Sequence, residues 1–252
     1  MLTPPELGEG QVGSLLGRTS PLVKLAVAVS WLIGLATTGR AGPPVALAVV
    51  AIASGLLLGR IPPRRLIRAL APLVLAAMSI ALANLLFSGS NTNPAATELA
   101  RIGPFRITRE AADAALGLGA RVMSIVAVGA VFAQTTDPTR LVDALVQQAR
   151  LPARFAYGAL AAYQAVPRLG EDLTILRQAR RIRGLGGGWH PRLLLGLLVR
   201  AIRHADQLAL AMDARAFDSG PRSTYRPIAW TWRDPAVGIA GATLMVTVLI
   251  RI

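Results

Sequence analysis

The amino-acid sequence predicts an all-α integral membrane protein with about five transmembrane helices and a cytoplasmic group of amphipathic helices. Hydrophobic residues make up 53% of the 252 residues and charged residues only 16%, whereas soluble domains contain ~25% charged residues. Several apolar runs approach the ~20 residues that a helix needs to cross a bilayer. A basic segment of mixed polarity, residues 135–233, interrupts these runs. Composition and periodicity therefore indicate both the transmembrane helices and the cytoplasmic amphipathic helices.

Five apolar runs are the predicted transmembrane spans. They cover residues 21–38, 43–58, 66–87, 110–134 and 236–250. The first run lacks the basic flank and the small-residue cleavage site of a signal peptide, so we interpret it as a retained span. Residues 88–107 are rich in Gly, Ser, Asn and Pro, which predicts a loop. The sequence therefore divides into 1–134, a tail with four spans, 135–233, the cytoplasmic helical region, and 234–252, the last span.

The distribution of arginine predicts the orientation of these spans. Four arginines lie within residues 59–68, after the second span, whereas Arg40 alone lies between the first span and the second. Residues 135–233 contain fifteen arginines and seven acidic residues. Because cytoplasmic loops are enriched in Lys and Arg, we expect the N-terminus and residues 135–233 to face the cytoplasm. Five spans would then place the C-terminus outside.

Three amphipathic helices are predicted within residues 135–233. The first opens near Pro138, and the second is expected over residues 152–183, where Pro167 predicts a kink or a break. Pro191 opens the third, whose apolar residues recur at helical spacing on one face. Such helices lie on a membrane surface or pack on one another, so their periodicity alone identifies no partner.

Two short arginine motifs lie at or near the ends of the second and third of these helices. They are Ile182-Arg183-Gly184 and Ala214-Arg215-Ala216. A guanidinium group is a permanent, planar cation that can bond bidentately in an acidic groove of a partner. An arginine at the end of a helix also complements the helix dipole. On the residues alone, both docking and dipole stabilisation remain open.

Several kinds of chemistry are excluded by the sequence. Lys24 is the only lysine and follows no glycine run, so the chain cannot supply a Walker A lysine. His190 and His204 fit no metal-binding pattern, and the chain contains no cysteine. The net charge of +14 accompanies no recognised nucleic-acid fold and is typical of cytoplasmic arginines in a membrane protein. We therefore expect no catalytic residue, no metal site, no cofactor and no nucleic-acid partner.

Short sequence patterns along most of the chain follow the order of a known family. They lie at residues 14–25, 107–110, 135–138, 141, 144–145, 151–152, 166–169, 177–184, 208–217, 222–225 and 234. In this ordered set, which includes both arginine motifs, the chain resembles the transmembrane coupling subunit of energy-coupling factor (ECF) transporters, the EcfT/CbiQ/BioN family. Two positions depart from the family pattern. Ile182 stands where a small residue is common, and Ala216 stands where glycine is common.

The resemblance implies a division of labour in an importer of a vitamin or a transition-metal ion. Two ABC-type ATPase subunits hydrolyse ATP, a small membrane subunit binds the substrate, and a non-catalytic chain of this family couples them in a bacterial or archaeal cell membrane. The amphipathic helices would then be coupling helices. The resemblance implies ATPase docking by Arg183 and Arg215, with Gly184, Ala214 and Ala216 as supporting geometry.

Two other classes of function compete with this one. A self-sufficient polytopic permease would carry polar groups for its own substrate within the spans and an internal repeat. An integral membrane enzyme acting on lipid or peptide would carry clustered Asp, His or Ser at the depth of the interface. The spans show no midplane carboxylates, and the chain has two histidines. Both alternatives are therefore disfavoured by the residues.

Overall fold

The computed structural model describes residues 11, 13–36, 41–93, 96–102, 105–217, 220, 224 and 226–251. The described residues belong to two compact units. The membrane unit consists of those within Leu7–Asp137 and Ala229–Ile252, and the inserted unit of those within Pro138–Ile228. Each unit is described separately below.

Helices account for nearly all of the regular structure in the described residues. In chain order they are α1 (Leu15–Arg18), α2 (Pro21–Ala36), α3 (Gly42–Leu57), α4 (Pro63–Phe87), α5 (Arg109–Thr135), α6 (Pro138–Gln147), α7 (Ala153–Ile182), α8 (Pro191–Ala214) and α9 (Arg233–Arg251). A 3₁₀ turn, Gly89–Thr92, and two antiparallel strands, β1 (Glu98–Ile102) and β2 (Phe105–Thr108), lie between α4 and α5.

Five apolar helices of the membrane unit coincide with the five predicted spans. Among the described residues, α4, α5 and α9 are long and apolar enough to cross a membrane, while α2 and α3 are shorter apolar helices. At 1.5 Å per residue, the 16 residues of α2 or α3 extend about 24 Å, somewhat less than the ~30 Å hydrocarbon core of a bilayer. The predicted all-α membrane fold class is confirmed.

The segment predicted as a loop contains a β-hairpin. Arg101 pairs with Arg106 in the antiparallel register, and the Arg106 Nε donates to the Glu98 Oε2 across the strands at 2.9 Å. The loop prediction rested on local composition, whereas the hairpin depends on pairing between residues eight positions apart. Thr108 at the end of β2 then caps α5, because its hydroxyl accepts a hydrogen bond from the Ala111 N–H at 3.3 Å.

One buried hydrophobic cluster of the membrane unit lies where α2, α3 and α5 pack together, and a second lies between α4 and α5. The fully or nearly buried members of the first cluster include Trp31, Leu35 and Leu47. The Trp31 indole also donates its Nε1–H to the Gly241 carbonyl of α9 at 2.9 Å. A Cβ atom on Gly241 would lie 2.6 Å from the Val27 Cγ1, so only glycine permits this close approach of α9 to α2.

Two buried ionisable side chains join the ends of three membrane-unit helices. The Lys24 ammonium of α2 donates to the carbonyl of Thr135, the last residue of α5, at 2.7 Å. Asp234 of α9 is 1% exposed, and its carboxylate accepts from the Ser20 N–H at 2.6 Å and from the Thr231 N–H at 2.7 Å. Because a buried charge is costly unless it is hydrogen-bonded, these contacts specify how the three helix ends are held together.

The inserted unit contains α6, α7 and α8. The 30 residues of α7 run through Pro167 without interruption, so the alternative of a helix break at this proline is wrong. Three side-chain contacts between α7 and α8 show that these helices are antiparallel, because one residue number rises as the other falls: Arg168 with His204, Asp172 with Arg200, and Leu176 with Gly196.

Candidate docking site

The first arginine motif forms the C-terminal cap of α7. Arg183 is the cap residue, and Gly184 follows it with a φ of +71°. The Gly184 N–H donates to the Arg181 carbonyl at 3.1 Å, and the Leu185 N–H donates to the Arg180 carbonyl at 3.1 Å. These two hydrogen bonds define a Schellman motif, in which a left-handed residue ends the helix. Glycine adopts this conformation without a Cβ clash.

The second arginine motif forms the same cap at the end of α8. Arg215 is the cap residue, and Ala216 follows it with a φ of +53°. The Ala216 N–H donates to the Asp213 carbonyl at 2.9 Å, and the Phe217 N–H donates to the Met212 carbonyl at 3.0 Å. A left-handed conformation costs a residue with a Cβ roughly 1–2 kcal/mol. Alanine therefore carries strain at the position where the family pattern commonly has glycine.

The residues predicted for docking are open to a partner. All five are exposed, namely Arg183, Gly184, Ala214, Arg215 and Ala216. The Arg183 guanidinium has no hydrogen-bond or ion-pair partner among the described residues. Each arginine also lies at the C-terminal end of its helix, where a positive charge stabilises the helix dipole. An exposed arginine can do this and still be available for docking, so the two roles are compatible.

The structure does not bring the two arginines together. Phe217 contacts Tyr157 near the start of α7, with ring centroids 6.0 Å apart, so the end of α8 lies at the level of Tyr157. Arg183 follows Tyr157 by about 26 residues, which at 1.5 Å per residue corresponds to about 40 Å along α7. The two caps therefore lie at opposite ends of the antiparallel pair, too far apart to bind one small ligand together.

A group of contacts that the sequence did not predict lies beside the second cap. The Phe217 ring meets the Tyr157 ring edge to face at 84°. The Tyr157 hydroxyl donates to the Oδ1 of Asp143, which is 7% exposed on α6, at 2.9 Å. Partial burial of Tyr157, its hydrogen bond to Asp143 and the charge of Asp143 all raise the pKa of the tyrosine. The signal available in the sequence was the carboxylate at position 143, between the apolar residues Val142 and Ala144 of α6.

The two histidines take part in local structure. The His190 Nδ1 accepts a hydrogen bond from the Arg192 N–H at 3.1 Å and caps the start of α8. The His204 Nε2 lies 3.1 Å from the Arg168 Nη1. Within the described ranges, no group of three or more His, Cys, Asp or Glu residues is arranged to hold a metal ion.

These features define an integral membrane protein in which two equivalent, exposed arginine caps extend from a separate helical unit. Residues 13–225 match the CbiQ family, which is described as a cobalt transport protein. The chain belongs to this family, as its resemblance to the EcfT/CbiQ/BioN pattern predicted.

Curated relatives of the chain carry related names. It is 29% identical over 232 residues to the energy-coupling factor transporter transmembrane protein EcfT of Heliobacterium modesticaldum, covering 85% of this chain and 82% of that protein. It is 28% identical over 257 residues to the EcfT protein of Limosilactobacillus fermentum, covering 94% and 92%. A candidate ABC transporter ATP-binding protein of Bifidobacterium longum is 26% identical over 270 residues, covering 99% of this chain and 32% of that protein.

Proposed function

We propose that this chain is the transmembrane coupling subunit of an ECF-type ABC importer. It joins two ABC-type ATPase subunits to a small substrate-binding membrane subunit, for uptake of a vitamin or a transition-metal ion. The observation that carries this proposal is the pair of exposed arginine caps with the same hydrogen-bond pattern, about 40 Å apart at opposite ends of α7 and α8. Two equivalent caps suit two equivalent grooves on a pair of similar subunits.

The chemistry of the caps suits an acidic groove. Each arginine is exposed at the end of a helix, and a guanidinium can form paired hydrogen bonds with a carboxylate. Removing one partner of such a buried charge pair typically weakens association by ~2–5 kcal/mol. A helix held at its end in this way moves with the ATPase, so closing of the two ATPases around ATP would displace α7 and α8.

The comparisons with known proteins support the same assembly. The family description refers to cobalt transport, and several relatives are named as transmembrane proteins of ECF transporters. In the Bifidobacterium longum protein, a segment similar to nearly the whole of this chain makes up about a third of a polypeptide named for ATP binding. Coupling to ATPases therefore agrees with both the caps and the relatives.

The remaining parts of the proposal follow from this role. ATP hydrolysis belongs to the partner subunits, and we assign no catalytic residue or cofactor to this chain. We place it in a bacterial or archaeal cell membrane as a multi-pass protein, with its N-terminus and coupling helices in the cytoplasm. The arginine-rich turn after α3 and the basic composition of residues 135–233 support this orientation.

The docking role is tested by co-purifying the ABC ATPases of the host with this chain. We expect the Arg183→Glu/Arg215→Glu double variant to insert into the membrane but to lose the ATPases and substrate uptake, because two carboxylates would then face the acidic grooves. Arg203→Glu is the matched control, since Arg203 is exposed on α8 but lies away from both caps. We expect this control to retain the ATPases.

Two results would contradict the proposal. Retention of the ATPases and normal uptake by the double variant would show that the ATPases do not dock on the arginine caps. Substrate binding by the purified wild-type chain alone, without co-purifying ATPase, would indicate the self-sufficient permease instead.

A further inference from the structure

The two caps differ in the contacts that hold them to the rest of the inserted unit. The hydrogen bonds of the first cap are local, and the Arg180 Nη2 adds another to the Leu185 carbonyl at 3.2 Å. Leu185 itself is 60% exposed. The corresponding residue of the second cap, Phe217, packs instead against Tyr157 of α7. Only the second cap therefore has a ring contact to another helix among the described residues.

Tyr157 connects this ring contact to a buried carboxylate. Its hydroxyl donates to the Asp143 Oδ1 at 2.9 Å, so a chain of contacts from Phe217 through Tyr157 to Asp143 crosses from the end of α8 to α6. A second connection to α6 lies farther along the chain. The Gln147 side chain, at the end of α6, donates to the Arg226 carbonyl at 3.0 Å and accepts from the Ile228 N–H at 2.9 Å.

The position of Phe217 bears directly on Arg215. In a Schellman motif, the N–H of the residue two positions after the cap residue bonds to a carbonyl in the last turn of the helix, as the Phe217 N–H does to Met212. Because Phe217 is held on Tyr157, the last turn of α8 and its arginine are held before any partner binds. Fixing a binding group in its bound position reduces the entropy lost on association.

We propose that Tyr157 is the positioning residue of the second docking motif. It orders Arg215 for its partner through Phe217 and is itself oriented by Asp143. The first cap is held by hydrogen bonds within its own helix end and, in the described part of the chain, lacks a ring contact to another helix. This inference rests on the docking function proposed above and adds to it a division between a cap with such a contact and a cap without one.

The inference is tested by a double-mutant cycle on the full chain reconstituted with the ATPases of its host. The apparent Kd for the ATPases is measured with Tyr157→Ala in two backgrounds. In Arg183→Glu the second cap alone holds the ATPases, and in Arg215→Glu the first cap alone does so. We expect Tyr157→Ala to raise the Kd by about tenfold in the Arg183→Glu background, because an edge-to-face ring contact contributes up to about this factor. In the Arg215→Glu background we expect no change.

Two further variants separate positioning from general damage to the fold. Tyr157→Phe retains the ring contact and loses the hydroxyl, so we expect a smaller increase in Kd in the same background only. Tyr163→Ala is the matched control, because Tyr163 also lies on α7 and is 43% exposed. We expect this control to leave the Kd unchanged in both backgrounds.

Each alternative outcome has a distinct meaning. Equal effects of Tyr157→Ala in the two backgrounds would show general damage to the unit and overturn the positioning role, while leaving the docking function intact. No effect in either background would also overturn it. If neither Arg183→Glu nor Arg215→Glu alters the Kd, the docking function fails, and the inference fails with it.

Discussion

Gly184 and Ala216 occupy the same position in two copies of one helix-capping motif, with φ values of +71° and +53°. Each residue directly follows an exposed arginine, and each donates its N–H to the carbonyl three residues before it. The two motifs therefore present Arg183 and Arg215 in the same local geometry. They differ in that the glycine adopts the left-handed conformation freely, whereas the alanine is strained.

Exchanging these two residues should shift the stability of the helix ends in opposite directions. We expect Gly184→Ala to destabilise the end of α7 by about 1 kcal/mol and Ala216→Gly to stabilise the end of α8 by up to about the same amount. Amide hydrogen exchange in the last turn of each helix measures both effects. Gly188→Ala is the control, because Gly188 is outside the left-handed region and has open space at its Cβ position. Equal changes for Gly184→Ala and Gly188→Ala would contradict the prediction.

The packing of α9 on α2 should depend on one glycine and not on its neighbour. In Gly241→Ala the new Cβ would lie 2.6 Å from the Val27 Cγ1, whereas in Gly238→Ala it would lie 3.5 Å from the Val23 Cγ1. We expect Gly241→Ala to destabilise the membrane unit by about 1–3 kcal/mol, because the helices must move apart, and Gly238→Ala to have little effect. The thermal midpoints of the two variants in detergent test this, and similar midpoints would count against the close approach.

Asp234 should stabilise the membrane unit through its charge. Both of its carboxylate oxygens accept backbone N–H groups, from Ser20 and Thr231. An Asn side chain would turn an NH₂ group towards one of these donors, so we expect Asp234→Asn to cost about 1.5–3 kcal/mol. Asp113→Asn, at an exposed position on α5, is the control. Thermal unfolding of both variants provides the measurement, and an unchanged midpoint for Asp234→Asn would show that the charge is not needed.

The inserted unit should lose stability in alkaline solution because of Tyr157. Partial burial and the hydrogen bond to Asp143 raise the pKa of Tyr157 above the ordinary value of about 10. Above this ordinary value the folded state binds more protons than the unfolded state, so stability falls as the pH rises through the folded-state pKa. Below about pH 10 the contribution is present in full.

Tyr157→Phe should remove this part of the pH dependence, whereas Tyr163→Phe should retain it. Absorbance of tyrosinate near 295 nm, followed as the pH is raised, should also show one late titration that disappears only in Tyr157→Phe. A wild-type tyrosine titration without a late component would contradict the raised pKa.

Local sequence signals predicted the apolar helices well. Prolines stand at the first residue of α2, α4, α6 and α8, where their missing N–H leaves no hydrogen bond unmade. The Gly-rich run after Arg183 likewise indicated the end of α7. The apolar runs between such signals agree with the helices of the membrane unit to within about three residues at the described ends. These features depend on residues next to each other in the chain, so a single sequence can show them.

Pairings between distant residues were not predictable in the same way. The hairpin in the predicted loop depends on Arg101 pairing with Arg106 and on the Arg106 side chain reaching Glu98. The contacts behind the second cap join Asp143, Tyr157 and Phe217, which share no sequence pattern. The continuity of α7 through Pro167 was also left open by the sequence, because a proline inside a helix permits either a kink or a break.

The sequence by itself determined the membrane fold class, the positions of the apolar helices and the placement of two arginines at helix ends. Each of these follows from composition or from spacing within a few residues. Only the tertiary structure decided that α7 and α8 are antiparallel, that their caps are therefore about 40 Å apart, and that Tyr157 contacts Phe217 of the second cap. The physical reason is that the direction and support of a helix end come from packing between side chains that are far apart in the chain.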